Sequence, residues 1–172
     1  MTMKPSFSRL TPSALVSGIA LCCVAGAALA QTPPVPQYGT NINYEQARKV
    51  VAAAIAESRK QNLPMSVAVV DNAGQLVAFE RMDNTQIAST GISQDKAVSA
   101  AIYRRSTKVF QDVLAGGGVG LRVLTLRGAI AVEGGVPIVL DGKIIGGLGI
   151  SGGTSEQDGT VAKAGTEGLA AK

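Results

Sequence analysis

Gly149-Ile150-Ser151-Gly152-Gly153 has the G-x-S-x-G spacing that can present a nucleophilic serine between a strand and a helix. Such a serine needs a base to take its proton, and the chain has no histidine. A Ser–Lys pairing is the scheme left. The simpler reading is that these glycines let a strand exit tightly while Ser151 or Thr154 bonds local backbone. Gly116-Gly117-Gly118-Val119-Gly120 has glycines at G-x-G spacing but opens no clear strand–helix unit. No Gly-Lys-Ser/Thr follows it, so a phosphate cradle is not supported.

Metal and proton chemistry have few candidates. Glu80 and Asp83 stand three residues apart just beyond a strand and could hold a ferric or divalent ion at the surface. The plainer reading of that pair is a solvated turn. Met82 between them offers a thioether, although a lone methionine is usually packing. Tyr103 could ligate ferric haem iron as a phenolate, or be a half-buried helix tyrosine. Asp95-Lys96 and Glu133-Gly134-Gly135 carry the other polar groups that could face a cleft, with glycines that admit a flat ligand close to backbone.

These groups must be held by an alternation of helices and short strands. Asn43 caps a helix to about Asn62, with Ala47, Val50, Val51, Ala54 and Ser58 on one stripe. Pro64 stops it. Met65–Val70 and Leu76–Arg81 read as a hairpin around Asp71-Asn72-Ala73-Gly74. A long helix is expected from Gln86 to Ser106, with Ile87, Gly91, Val98, Ala101, Ile102 and Arg105 near one face. A shorter one covers Lys108–Ala115. Ala129–Val132, Val136–Leu140 and Lys143–Ile150 read as strands, the last two joined at Asp141-Gly142. A cap at Ser155 with an acid at Asp158 opens a last helix, whose small face includes Val161, Ala164, Gly165, Gly168 and Leu169. About five strands, joined mostly by hairpins and covered by three or four helices, make an α+β domain.

The 172 residues also carry an address. Lys4 and Arg9 precede an uncharged run from Ala14 to Leu29, and Ala28-Leu29-Ala30 fits the small-x-small cleavage pattern. Residues 1–30 are therefore expected to be a signal peptide, cut before Gln31. Residues 31–42, with Pro33, Pro34 and Pro36, read as an extended tether, and residues 43–172 as the domain. Cleavage removes both cysteines, Cys22 and Cys23, so the exported domain forms no disulfide and keeps no hydrophobic run able to hold it stably in a membrane. It keeps only a small positive excess and no basic run, which gives no footprint for nucleic acid.

Met65 to Asp83, read as Met-Ser-Val-Ala-Val-Val-Asp-Asn-Ala-Gly-Gln-Leu-Val-Ala-Phe-Glu-Arg-Met-Asp, resembles the signature of the GlcG/HbpS family, which is related to the C-terminal domain of PduO proteins. The resemblance continues through Asp95-Lys96-Ala97, Gly134-Gly135-Val136-Pro137-Ile138-Val139 and Asp141-Gly142. It closes on Gly149 to Asp158, whose Ser-Gly-Gly-Thr-Ser-Glu-Gln-Asp string is specific. It implies a profilin-like α+β fold with a five-stranded antiparallel sheet, higher oligomers, and, for exported members, haem binding linked to haem or redox sensing. The matched Arg81, Lys96, Gly134, Gly135 and Pro137 become candidate pocket residues. A chain without histidine departs from relatives that use a histidine ligand, so no axial ligand transfers. Among the side chains able to reach iron, Tyr103 is the first choice.

The expected function is thus an exported haem- or tetrapyrrole-binding protein for sequestration or sensing, a homo-oligomer with a possible sensor partner protein. Two alternatives stand beside it. One is an accessory protein or enzyme for a small hydroxy acid of the glycolate type, with Lys96, Glu133 or Asp95 moving protons. The other is an oligomeric protein-interaction module. The lack of histidine, cysteine and a paired-carboxylate motif weighs against catalysis.

Overall fold

The computed structural model divides into two compact units, residues 1–33 and 34–172. It describes residues 1–2 and 34–170, and the account below concerns the second unit. The expected signal peptide, its cleavage site and the first tether residues lie outside the described residues.

The first helix, α1, spans Tyr44–Lys60. Asn43 caps it: its side chain accepts from the Gln46 N–H at 2.9 Å, and the Gln46 side chain accepts from the Asn43 N–H at 3.0 Å. Each bond satisfies a donor that the first turn leaves open. The expected stripe of Ala47, Val50, Val51, Ala54 and Ser58 is buried. Strands β1 (Ser66–Asp71) and β2 (Leu76–Arg81) form the expected hairpin. Asp71 accepts from the Ala73 and Gln75 N–H groups at 2.8 and 2.9 Å, which fixes the turn. Helices α2 (Ser89–Tyr103) and α3 (Thr107–Ala115) follow, then a 3-10 segment (Gly118–Thr125). Strands β3 (Gly135–Leu140) and β4 (Lys143–Ser151) come next, and α4 (Ser155–Ala170) closes the chain.

The fold is α+β, with an antiparallel sheet of order β2-β1-β4-β3. Four strands, rather than the expected five, are present among the described residues. Ala129–Val132 is irregular because side chains take its donors: Ile130 N–H bonds Ser99 Oγ at 3.1 Å and Glu133 N–H bonds Gln111 Oε1 at 2.8 Å. Gln37 to Ile42 instead runs beside β4: Gly39 N–H donates to the Ile144 carbonyl and Ile42 N–H to the Ile145 carbonyl, each at 2.7 Å.

Two faces of the sheet are covered unequally. Val67, Val69, Leu148 and Ile150 face α1 and α4 in the larger core, while Ala68 and Val70 meet Ala97 and Ala101 of α2. The α2 side is tight because β4 presents glycine there. A Cβ on Gly149 would collide with the Ser93 carbonyl, and one on Gly147 with that of Ala97. At such approach the helix residues against β4 are small, and α2 buries Ser89, Ser93, Ala97, Ala100 and Ala101 together with Lys96, whose side chain passes on to α4. This corrects the expected inner face. Ile87 is 86% exposed and Ile102 40%, since no room remains for them inside. The helix is also shorter than expected, ending at Arg104 in the left-handed conformation with φ 54°.

The small face of α4 is used within the chain. A Cβ on Gly165 would lie 2.7 Å from Leu148 Cδ2 and 3.2 Å from Ala54 Cβ, so this helix nests against both β4 and α1. Its cap is one residue earlier than expected. Thr154 Oγ1 accepts from the Gln157 N–H, and Gln157 Oε1 accepts from the Thr154 N–H. Asp158 is thereby released from capping.

Candidate functional site

Most of the residues singled out in the sequence fall into three separate places. The first is internal. Lys96, in mid α2, reaches through to Asp158 of α4, with Nζ 2.7 Å from Oδ2 and the two side chains 1% and 4% exposed. The same ammonium donates to the Ile150 carbonyl at 3.1 Å. Asp158 Oδ1 accepts from the Gly153 N–H at 3.0 Å. Burial pushes the Asp158 carboxyl above its ordinary value, while the Lys96 bond and charge pull the other way. Gly134 and Gly135 pack against this pair and are themselves buried. Gly134 has φ +120°, and a Cβ there would stand 2.7 Å from Asp158 Cβ and 2.8 Å from Lys96 Nζ. Gly135 N–H bonds Thr107 Oγ1 at 2.9 Å. Lys96, Gly134 and Gly135 are thus buried packing residues, which with Thr107, Ile150 and Asp158 tie α2, α3, β3, β4 and α4 together. Pro137 sits half-buried on the edge strand β3, where a missing N–H is tolerated.

Ser151 belongs to the same interior. Its hydroxyl donates to Ser89 Oγ at 3.0 Å, buried between β4 and the first turn of α2. The glycines around Ser151 serve close packing, since Cβ atoms on Gly149 and Gly152 would strike backbone carbonyls and one on Gly153 would press on the Gln157 side chain.

The second place is an open cleft. Ile55 and Arg59 of α1 line it with Glu80, Arg81, Met82 and Asp83, enclosing about 380 Å³. It lies at the end of the sheet where Arg81 pairs with Ser66 and Ser66 with Ser151, beside the start of α2. Arg59 is the residue that sequence reasoning missed. It stands on a different element far upstream, and only the packing of α1 on β2 brings it here.

The third place is at the other end of α2, roughly 20 Å away along a helix that rises about 1.5 Å per residue. The Tyr103 hydroxyl donates to the Arg127 carbonyl at 2.8 Å at the surface, and its ring meets Phe110 edge-on, centroids 5.1 Å apart. Arg105 lies over the Phe110 ring. The 3-10 segment packs back on α3 so closely that a Cβ on Gly120 would strike the Val113 carbonyl. That leaves Val119, Leu121, Leu124 and Leu126 exposed beside Ile102 and Val113. No ion pair engages Arg104, Arg105, Arg122 or Arg127 among the described residues. The segment from 102 to 127 thus carries both exposed apolar side chains and arginines outside any ion pair. Asp95 lines a separate shallow cleft with Val98 and Gly128–Ile130.

Residues 42–167 match the family model described as haem degrading protein HbpS-like. The chain belongs to the HbpS-like family. Protein GlcG of Escherichia coli K12 is 40% identical over 110 residues, covering 64% of this chain and 81% of GlcG. Among solved structures, a PduOC:heme complex superposes with a TM-score of 0.68 at 27% identity, covering 75% of this chain and 95% of that one. A Glu-to-Asp double mutant of Streptomyces reticuli HbpS also gives a TM-score of 0.68, at 25% identity, over 91% of this chain and 97% of the other. This HbpS-like chain thus shares the fold of a relative whose structure contains haem, while carrying no histidine of its own.

Proposed function

We propose that this HbpS-like chain is an exported haem-binding protein that sequesters or senses haem and works as a homo-oligomer, with a sensor protein as partner. The observation that carries the reading is the third place. A tetrapyrrole is a flat apolar body with carboxylates on its rim, and the chain that follows the Tyr103 end of α2 carries exposed apolar side chains together with arginines outside any ion pair. The donor chemistry is compatible with ferric iron, because a phenolate oxygen suits that state. Tyr103 would supply the oxygen, Leu121, Leu124 and Val113 the apolar cover, and Arg105 and Arg127 the partners for carboxylates. Bound haem would bring the iron and its redox and spectroscopic chemistry. What the chain itself does is bind, orient and shield the ring. Membership of the family and the haem complex of the PduOC relative support the same ligand class.

Export rests on the residue pattern before Gln31. Self-association rests on apolar side chains that no intrachain neighbour covers, among them Ile87 at the opposite end of α2. A haemin titration of the purified protein with a spectral readout tests the ligand, and a saturable Soret shift is the expected result. No shift at micromolar haemin would overturn it. Intact mass of exported material should start at Gln31, and light scattering should give a multiple of the monomer mass.

A further inference from the structure

We propose that the cleft between α1 and the β2–α2 connection binds a small zwitterion of the amino-acid class, independently of any haem. Four charged side chains from three segments line it: Arg59 from the last turn of α1, Glu80 and Arg81 from the end of β2, and Asp83 from the loop beyond. Two are cationic and two anionic. None has an ion-pair partner within 4.0 Å among the described residues, although they share one cleft of about 380 Å³. Charges that line one cleft without neutralising each other are available to a ligand carrying both signs. The guanidinium groups suit a carboxylate, with fork geometry that a lysine lacks. The two carboxylates suit an ammonium group. Two guanidinium groups in the same cleft oppose a bare metal ion at Glu80 and Asp83, and the described residues hold no cluster of three metal-ligating side chains.

The walls are built rather than loose. Met82 N–H donates to the Met65 carbonyl at 3.0 Å, and Thr85 Oγ1 donates to the Met82 carbonyl at 2.8 Å, so the loop carrying Asp83 is pinned at both sides. Buried Ile55 and half-buried Met82 give an apolar floor for a side chain or α-carbon. An adjoining hollow of about 320 Å³ shares Arg59, Met82 and Asp83 and continues over Leu63 and Pro64. The site therefore has room for an amino acid with a modest side chain. It lies at the opposite end of α2 from Tyr103, which separates its fate from that of the haem reading.

Amide chemical-shift titration of the purified protein tests this, using L-alanine, acetate and methylammonium as probes. L-Alanine should give saturable shifts confined to Arg59 and Arg81–Asn84, with acetate and methylammonium each about tenfold weaker or more. Arg59→Gln and Arg81→Gln, both at exposed positions, should each weaken L-alanine about tenfold while leaving the rest of the spectrum in place. Acetate binding as tightly as L-alanine would overturn the zwitterion. So would manganese broadening of these amides without any response to L-alanine, or no localised shift at tens of millimolar. Haemin titration of the same Arg59→Gln protein should be unchanged, so failure of one site is distinguishable from failure of the other.

Discussion

Lys96 and Asp158, sixty-two positions apart, form one buried ion pair with a 2.7 Å contact that joins α2 to α4 through the end of β4. Two charges taken out of water cost several kcal/mol each, and only close pairing with further hydrogen bonds offsets this. Ile150 and Gly153 supply those further bonds. The pair is thus a fastener whose value depends on both partners being present.

Removing one partner should be far worse than replacing both. Asp158→Ala, which leaves a buried ammonium, should cost about 3–5 kcal/mol in urea unfolding. The double variant Lys96→Met with Asp158→Leu should recover much of that loss. If both proteins unfold at the same urea concentration, the pair is not acting as a unit.

The pH dependence has a defined sign. Burial raises the folded-state carboxyl of Asp158 above its ordinary 3.8, so the folded protein holds that proton more tightly than the unfolded chain. The stability this supplies is fully present below 3.8 and is lost as pH rises through the folded value. The unfolding free energy of wild type relative to Asp158→Asn should therefore fall with increasing pH in the window just above 3.8. Denaturant titrations across that window check it, and a difference that rises with pH contradicts the assignment.

Gly134 should tolerate no side chain. Gly134→Ala sets a Cβ 2.8 Å from both the Ile150 carbonyl oxygen and Lys96 Nζ, on backbone at φ +120°. Backbone strain of about 1–3 kcal/mol adds to a similar overpacking cost. A clear drop in Tm is expected. Gly142→Ala, where a Cβ meets no neighbour within 4 Å but φ is +73°, should cost less.

Tyr103→Phe separates stability from ligand chemistry. The lost bond to the Arg127 carbonyl lies at the surface, so unfolding should shift by only about 0.5 kcal/mol. If the phenolate meets ferric haem, the same variant should lose the charge-transfer band and bind haemin more weakly, with oligomer mass unchanged. Identical haemin spectra for the two proteins would remove Tyr103 as the ligand.

Local pattern by itself determined much of this protein. Asn43 announced the start of α1, the stripe from Ala47 to Ser58 its buried face, and Asp141-Gly142 the β3–β4 turn, because capping, helical periodicity and left-handed turns are contacts between near neighbours. The family was legible for the same reason, in strings such as Ser151 to Asp158. Which side of α2 faces inward was not legible. The helix pattern favoured Ile87 and Ile102, but glycines of β4 drew the helix too close for them, and that distance exists only once the sheet is paired. The candidate site divided in the same way. Lys96, Gly134 and Asp158 lie far apart in sequence and near one another in space, so their role as an internal fastener came from packing. Arg59 joined Arg81 in a cleft for the same reason: the sequence lists charges, but only the docking of α1 on β2 decides which of them share water.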